Sequence, residues 1–277
     1  MSAKTSNDEL LIEAGRSDLH YWADLWRFRE LLGFLAWRDI KVRYKQTVLG
    51  ILWAVIQPAV QTVLLTFVFG KLAGMPSGPV PYVAVVLAGQ IAWMLFSSAF
   101  TGVGNSLVSN THLVGKVYFP RLIAPLSALA IAVVDTLIVL AITLPLAPLA
   151  GIVPTWRWLL LPAFMLAALA VAFGAGLWIC TLTVKYRDFR FITPFLLQVG
   201  MFITPVGFST QFLPNWRDVL SLNPLTGVVE GFRWCLLGPQ QELYVGSLVA
   251  SLATSLALIV SGLWYFRRTE RRFADLI

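Results

Sequence analysis

Six apolar stretches, 48 to 70, 80 to 104, 122 to 148, 158 to 183, 191 to 210 and 243 to 266, carry one charged residue between them, Asp135. A helix rises ~1.5 Å per residue, so ~20 residues cover a hydrocarbon core of ~30 Å, and a helix pairs every backbone group where no water can. Each stretch is therefore predicted to be a transmembrane helix. The fifth holds Pro194, Gly200, Pro205 and Gly207, so it is expected to be kinked, shortened or partly re-entrant. A soluble chain of 277 residues needs a charged surface; here 58% of residues are hydrophobic, 13% are charged, and the mean hydropathy is +0.75. The bilayer is the solvent that such a chain fits, and the expected class is an all-α integral membrane protein with six spans.

An even number of spans puts both termini on one side. Seventeen of the 21 Lys and Arg then fall in the N-terminal region, the second and fourth connections and the C-terminal tail, leaving Lys71, Arg157, Arg217 and Arg233 opposite. The positive-inside rule places both termini of such a multi-pass protein in the cytoplasm. The net charge of +7 is accounted for by topology and anionic lipid, with no nucleic-acid partner required. The first forty-odd residues are polar or amphipathic, so no cleavable signal peptide is expected. Cys180 and Cys235 fall at different depths, which argues against a disulfide.

The expected division is a cytoplasmic N-terminal segment, 1–47, a transmembrane domain, 48–266, and a cytoplasmic tail, 267–277. Between Leu19 and Arg43, Tyr21, Trp22, Trp26, Phe28, Phe34 and Trp37 alternate with basic residues, which predicts an amphipathic helix in the membrane interface or a simple anchor. The second connection, 105–121, is polar and short. Asn110 is placed to cap a turn there and Pro120 limits the helix, giving either a surface helix suited to docking a soluble partner or an ordinary loop. The stretch 210–242 is too polar to span and too apolar for a free linker. Phe212, Leu213, Trp216, Val219 and Leu220, then Val228 to Leu237, predict two short re-entrant helices before the last span, acting as an outer gate or a structural cap.

Polar groups inside the spans are few. Asp135 is the costly one, at roughly 2.5 to 3.5 kcal/mol for a carboxylate at mid-membrane, so it must face protein or water; with no chain of ionisable partners in other spans, it reads as a packing or hydrogen-bonding residue. Trp53, Gln57 and Gln61 share one face of the first span, and Phe191, Phe195, Gln198 and Phe202 one face of the fifth. Aromatic rings stack on sugar C–H faces and amides bond hydroxyls, so both faces are candidate channel lining, with ordinary helix packing as the alternative.

No Gly-x-x-x-x-Gly-Lys-Ser/Thr loop is present, since Gly70-Lys71 and Gly115-Lys116 lack the upstream glycine and the following hydroxyl. His20 and His112 are the only histidines and form no metal cluster. Neither an ATPase site nor a metal site is expected in this chain. A secondary transporter would need internal repeats and buried ion-coupling residues, which the spans do not offer.

The pair FRELLGFLAWRDIKVRYKQTVLGILWAVIQP (28 to 58) and NTHLVGKVYFPRLIAP (110 to 125), with VKYRDFRF (184 to 191) and SLNPLTGVVEGFRWCLLG (221 to 238), resembles the permease subunits of polysaccharide-exporting ABC transporters. The resemblance implies a homodimer of six-span subunits working with two copies of a separate ATPase, which binds the ATP and Mg, to move a lipid-linked glycan of the O-antigen, teichoic-acid or capsule type. It further implies an interface helix at the N-terminus, a segment coupling to the ATPase that includes Asn110, His112, Lys116, Phe119 and Arg121, and an outer gate that includes Phe212, Trp216, Phe232 and Trp234. An ABC exporter permease for drugs or small lipids is the alternative within the same class.

Overall fold

The computed structural model describes residues 18–45, 50–270 and 273. Residues 48 and 49 of the first expected span therefore lie outside the described residues, as do Lys4, Arg16, Arg271 and Arg272 of the charge pattern. The described residues are mostly helical, with no strand among them: α1 (Asp18–Arg27), α2 (Arg29–Lys45), α3 (Gly50–Leu65) continued by a π-helical turn (Thr66–Leu72), α4 (Tyr82–Ser109), α5 (Thr111–Lys116), α6 (Ile123–Leu146), α7 (Leu161–Lys185), α8 (Phe189–Ile203), α9 (Arg217–Ser221), α10 (Thr226–Leu237) and α11 (Val245–Glu270).

Among the described residues, five segments are long and apolar enough to cross a membrane: Leu52–Leu72, Tyr82–Ser109, Ile123–Leu149, Trp156–Lys185 and Val245–Glu270. The fifth expected span corresponds to α8, which stops after 15 residues. At ~1.5 Å per residue it covers only ~22 Å of a ~30 Å core. Beyond Ile203 the backbone turns extended at Thr204 and runs on through bends to Ser209. Pro205 removes the amide that would have continued the ladder.

The expected single interfacial helix is two helices that meet at Phe28. Of these α1 has a clear apolar face, whereas the apolar residues of α2 are spread round its circumference. The reason is tertiary: α2 packs along α6 and inserts the fully buried Leu35 beside Leu122 and Ile123.

Burial is graded across the bundle. The hydrophobic windows of α4 and the α7 segment are 67% and 56% buried, whereas those of α3, α6 and α11 are 17%, 28% and 22% buried. So α4 and α7 form the centre, flanked by α10, and the others show most of their surface to lipid or to other protein. Along α4, Trp93, Phe96 and Phe100 form a ladder with ring centroids 5.4 and 5.5 Å apart.

Where α7 crosses α11 the two backbones touch. A β-carbon at Gly174 would lie 2.6 Å from the Ile259 nitrogen, and one at Gly262 would lie 2.5 Å from the Gly174 carbonyl oxygen. Small residues permit this approach, which is how helices gain packing energy in lipid. Beside it Trp178 donates to Ser261 Oγ at 3.2 Å and stacks on Tyr265. A second cluster, including Leu107, Val114, Phe119, Phe266 and Phe273, gathers α5 and the ends of α4 and α11 at one end of the bundle. This end also carries Arg27, Arg38, Lys116, Lys185 and Arg267, and is called the basic end below.

Candidate transport chamber and coupling segment

A cavity of about 890 Å³ penetrates the bundle from the basic end, walled by α2, α3, α4, α6 and α8. Its polar lining is arranged by helical register. Ser98, Thr101, Asn105 and Ser109 recur along one stripe of α4, facing Gln57 of α3 and Arg38, Asp39 and Arg43 of α2. Pro58 sits inside α3 and cannot donate to the carbonyl of Ala54, which lies on the cavity wall.

Asp135 closes the deep side. Arg43 Nη2 donates to its Oδ2 at 2.6 Å, and the Tyr44 hydroxyl donates to its Oδ1. The costly carboxylate of α6 is thus neutralised by Arg43 and further hydrogen-bonded by Tyr44, both of α2. Burial and the adjacent Asp135 carboxylate push the Tyr44 phenol up to about 12, so it keeps its proton and remains a donor at neutral pH. Nearer the mouth, Arg38 Nη2 donates to Asn110 Oδ1 at 2.6 Å and to Asp39 Oδ1 at 2.6 Å.

Of the expected channel residues, Gln57 lines this chamber and Leu197, next to Gln198, contributes to its wall. Gln61 instead accepts from Gln90 Nε2, tying α3 to α4. Phe191, Phe195, Gln198 and Phe202 all lie exposed on one face of α8, Phe191 being 81% exposed, and Trp53 is exposed on α3. The chain by itself leaves both aromatic faces uncovered.

The expected coupling residues separate into two sets. His112 and Lys116 are exposed on α5, whereas Asn110 and Phe119 are buried and Arg121 is half-buried. Asn110 does not cap α5 with its side chain. Its Nδ2 donates back to Ser106 O at 2.8 Å while its Oδ1 accepts from Arg38. Val117 and Tyr118 add exposed surface that sequence reasoning passed over.

At the opposite end the stretch 210–242 forms two short helices, α9 and α10, preceded by two short 3-10 turns, Thr210–Phe212 and Pro214–Trp216. Trp216 is exposed and Phe212 half-buried. Phe232 is completely enclosed, and Trp234 packs edge-on against Trp156 with the Arg157 guanidinium 4.5 Å above its ring. Here α10 is core rather than surface, held by charges that sequence reasoning did not single out. Arg233, 1% exposed, donates to Val85 O at 3.1 Å and to Val206 O at 2.6 Å. Glu230 accepts from the hydroxyls of Thr210 and Ser247. The available signal was a Glu and an Arg three residues apart in an otherwise apolar run. Cys180 and Cys235 are buried and unpaired, as their different depths implied.

A bundle of membrane-crossing helices, entered from one end by a polar chamber and bearing a short exposed helix beside the chamber mouth, defines a multi-pass membrane permease. The chain belongs to the ABC-2 type transporter family, whose profile matches residues 30–237. It is similar to the O-antigen export system permease protein RfbA of Klebsiella pneumoniae, at 26% identity over 251 residues covering 90% of this chain and 95% of that one. It is similar also to RfbA of Myxococcus xanthus, at 24% identity covering 92% of this chain and 98% of that one. The polysialic acid transport protein KpsM of Escherichia coli matches at 25% identity over 70% of this chain and 76% of its own length.

Proposed function

We propose that this chain is the membrane subunit of an ATP-driven exporter that passes a lipid-linked polysaccharide, of the O-antigen kind, across a bacterial inner membrane. Two copies line the path, and two copies of a separate subunit bind ATP and Mg and hydrolyse the nucleotide. The observation that carries this reading is the polar chamber joined to α5 through the Arg38–Asn110 hydrogen bond. A chamber rich in hydroxyls and amides suits a hydrated glycan better than an apolar drug, and its position beside α5 suits a partner acting on the basic end. That end is cytoplasmic in this reading, because the Lys and Arg excess lies there.

The uncovered faces of α3 and α8 support a paired assembly in which the aromatic stripes Trp53 and Phe191, Phe195 and Phe202, with Gln57 and Gln198, line the shared path. Closure of the partner ATPases pushes on the exposed His112 and Lys116 side of the segment 105–121. The segment 210–242, with Phe212 and Trp216 at its surface and Phe232 and Trp234 within it, forms the outer gate.

The test is reconstitution. The chain is co-purified with a candidate ATP-binding subunit from the same organism and placed in vesicles containing a lipid-linked glycan. ATP-dependent appearance of glycan on the opposite leaflet is the expected result. A complex that hydrolyses ATP and moves a fluorescent short lipid, but never the glycan, overturns the polysaccharide reading in favour of a small-lipid exporter.

A further inference from the structure

Glu270, the last residue of α11, holds three groups at once. Its Oε1 accepts from the Arg121 backbone amide at 3.1 Å and from the Tyr21 hydroxyl at 3.2 Å, and its Oε2 accepts from Arg267 Nη1 at 3.2 Å. The Arg267 guanidinium lies 3.4 Å above the Tyr21 ring. Burial raises the Tyr21 phenol above its ordinary value, so its proton stays available to Glu270 at neutral pH. One carboxylate therefore joins α1, α11 and the point where the chain leaves the segment 105–121 for α6.

The other end of the helical part of that segment is fastened too, through Arg38 of α2 on Asn110. Between the two ties the segment rests on an apolar bed, with Val114 and Phe119 buried in the same cluster as Phe266 of α11, and presents His112, Lys116, Val117 and Tyr118 outward. A surface element tied at both ends to other helices moves with them. A surface loop without such ties yields locally and transmits little.

We propose that Glu270 is a positioning residue for energy coupling: it locks the exit of the coupling segment to α1 and α11, so that displacement of the segment by the ATPase is passed to both helices. The inference rests on the coupling role proposed above for this segment. Loss of the carboxylate frees the Arg121 end, and ATP is then hydrolysed without proportionate export.

The experiment compares ATP hydrolysis and glycan export by the reconstituted complex carrying Glu270→Ala, Glu270→Gln or neither. Glu270→Ala is expected to keep hydrolysis near the starting level while export per ATP falls about tenfold, a usual size for a coupling effect. Glu270→Gln keeps an acceptor oxygen for the Arg121 amide and the Tyr21 hydroxyl, and is expected to recover most of the loss. Unchanged export per ATP in Glu270→Ala overturns the inference. Should Glu270→Ala fail to accumulate, Glu270→Met fills the site without offering an acceptor to the Arg121 amide or the Tyr21 hydroxyl, and unchanged export per ATP there overturns it equally. In parallel, a Lys116→Cys variant is cross-linked to the ATPase. Absence of any cross-link overturns the coupling role of the segment itself, whereas a cross-link with unaltered export in Glu270→Ala removes only the role of Glu270.

Discussion

Asp135 shows how one residue can be legible in its need and hidden in its answer. A carboxylate in the middle of an apolar stretch must find a partner, and that much follows from the cost of charge in hydrocarbon. The partners, Arg43 and Tyr44, lie 92 and 91 positions away in a helix outside the spans, and no spacing rule connects them. Asp135 is buried and Arg43 half-exposed, so truncating the cation leaves the costlier partner behind. Arg43→Leu is expected to lower the thermal stability of the detergent-solubilised protein by ~2 kcal/mol equivalent, and Asp135→Asn added to it to recover at least half, since an amide tolerates the site without a counter-charge. A simple sum of two losses in the melting curves contradicts the pairing. Gln61 teaches the same at lower stakes: it shares a helical face with Gln57, but its amide oxygen is spent on Gln90.

Among elements, the long apolar helices were readable because their pattern is set by the solvent around them, and α4, α6, α7 and α11 fall close to the stretches expected. The departures occur where packing partners override the pattern. α2 is not amphipathic because it rests on α6, and α8 ends early because the backbone turns at Thr204 and Pro205. α10 reads as an amphipathic surface piece yet is almost wholly buried, since Arg233 finds two backbone carbonyls and Glu230 two hydroxyls. The crossing of α7 and α11 carries its own prediction. Gly262→Leu pushes a side chain into the Gly174 backbone, where nothing flexible can yield. The expected loss exceeds the ~1–3 kcal/mol typical of overpacking, seen as low membrane accumulation and a lowered melting temperature. Gly33→Leu, at a site with open space around it, serves as the control and is expected to behave as the parent.

At the level of the whole molecule, the paired assembly proposed turns on whether the uncovered aromatic faces of α3 and α8 meet glycan or lipid. If Phe195 and Phe202 contact sugar rings, Phe195→Gln with Phe202→Gln should insert and bind the ATPase normally, while export falls several-fold, in line with ~0.5–1.5 kcal/mol per lost aromatic contact. Export at the parental rate in that variant would assign the α8 face to lipid instead.

Hydropathy, charge asymmetry and a handful of motif residues determined by themselves that this chain crosses a membrane several times and resembles a transport permease. These are properties of residues against solvent, and solvent preference is local in sequence. Tertiary structure alone decided that Arg38 meets Asn110, that Arg43 and Tyr44 meet Asp135, that Arg233 is entombed, and that Glu270 joins α1 and α11 to the segment before α6. Each is a polar contact between residues far apart in the chain. In an apolar surround such groups must pair, but which of them meet depends on how the helices cross, and helix crossing is fixed by side-chain shape rather than by hydropathy.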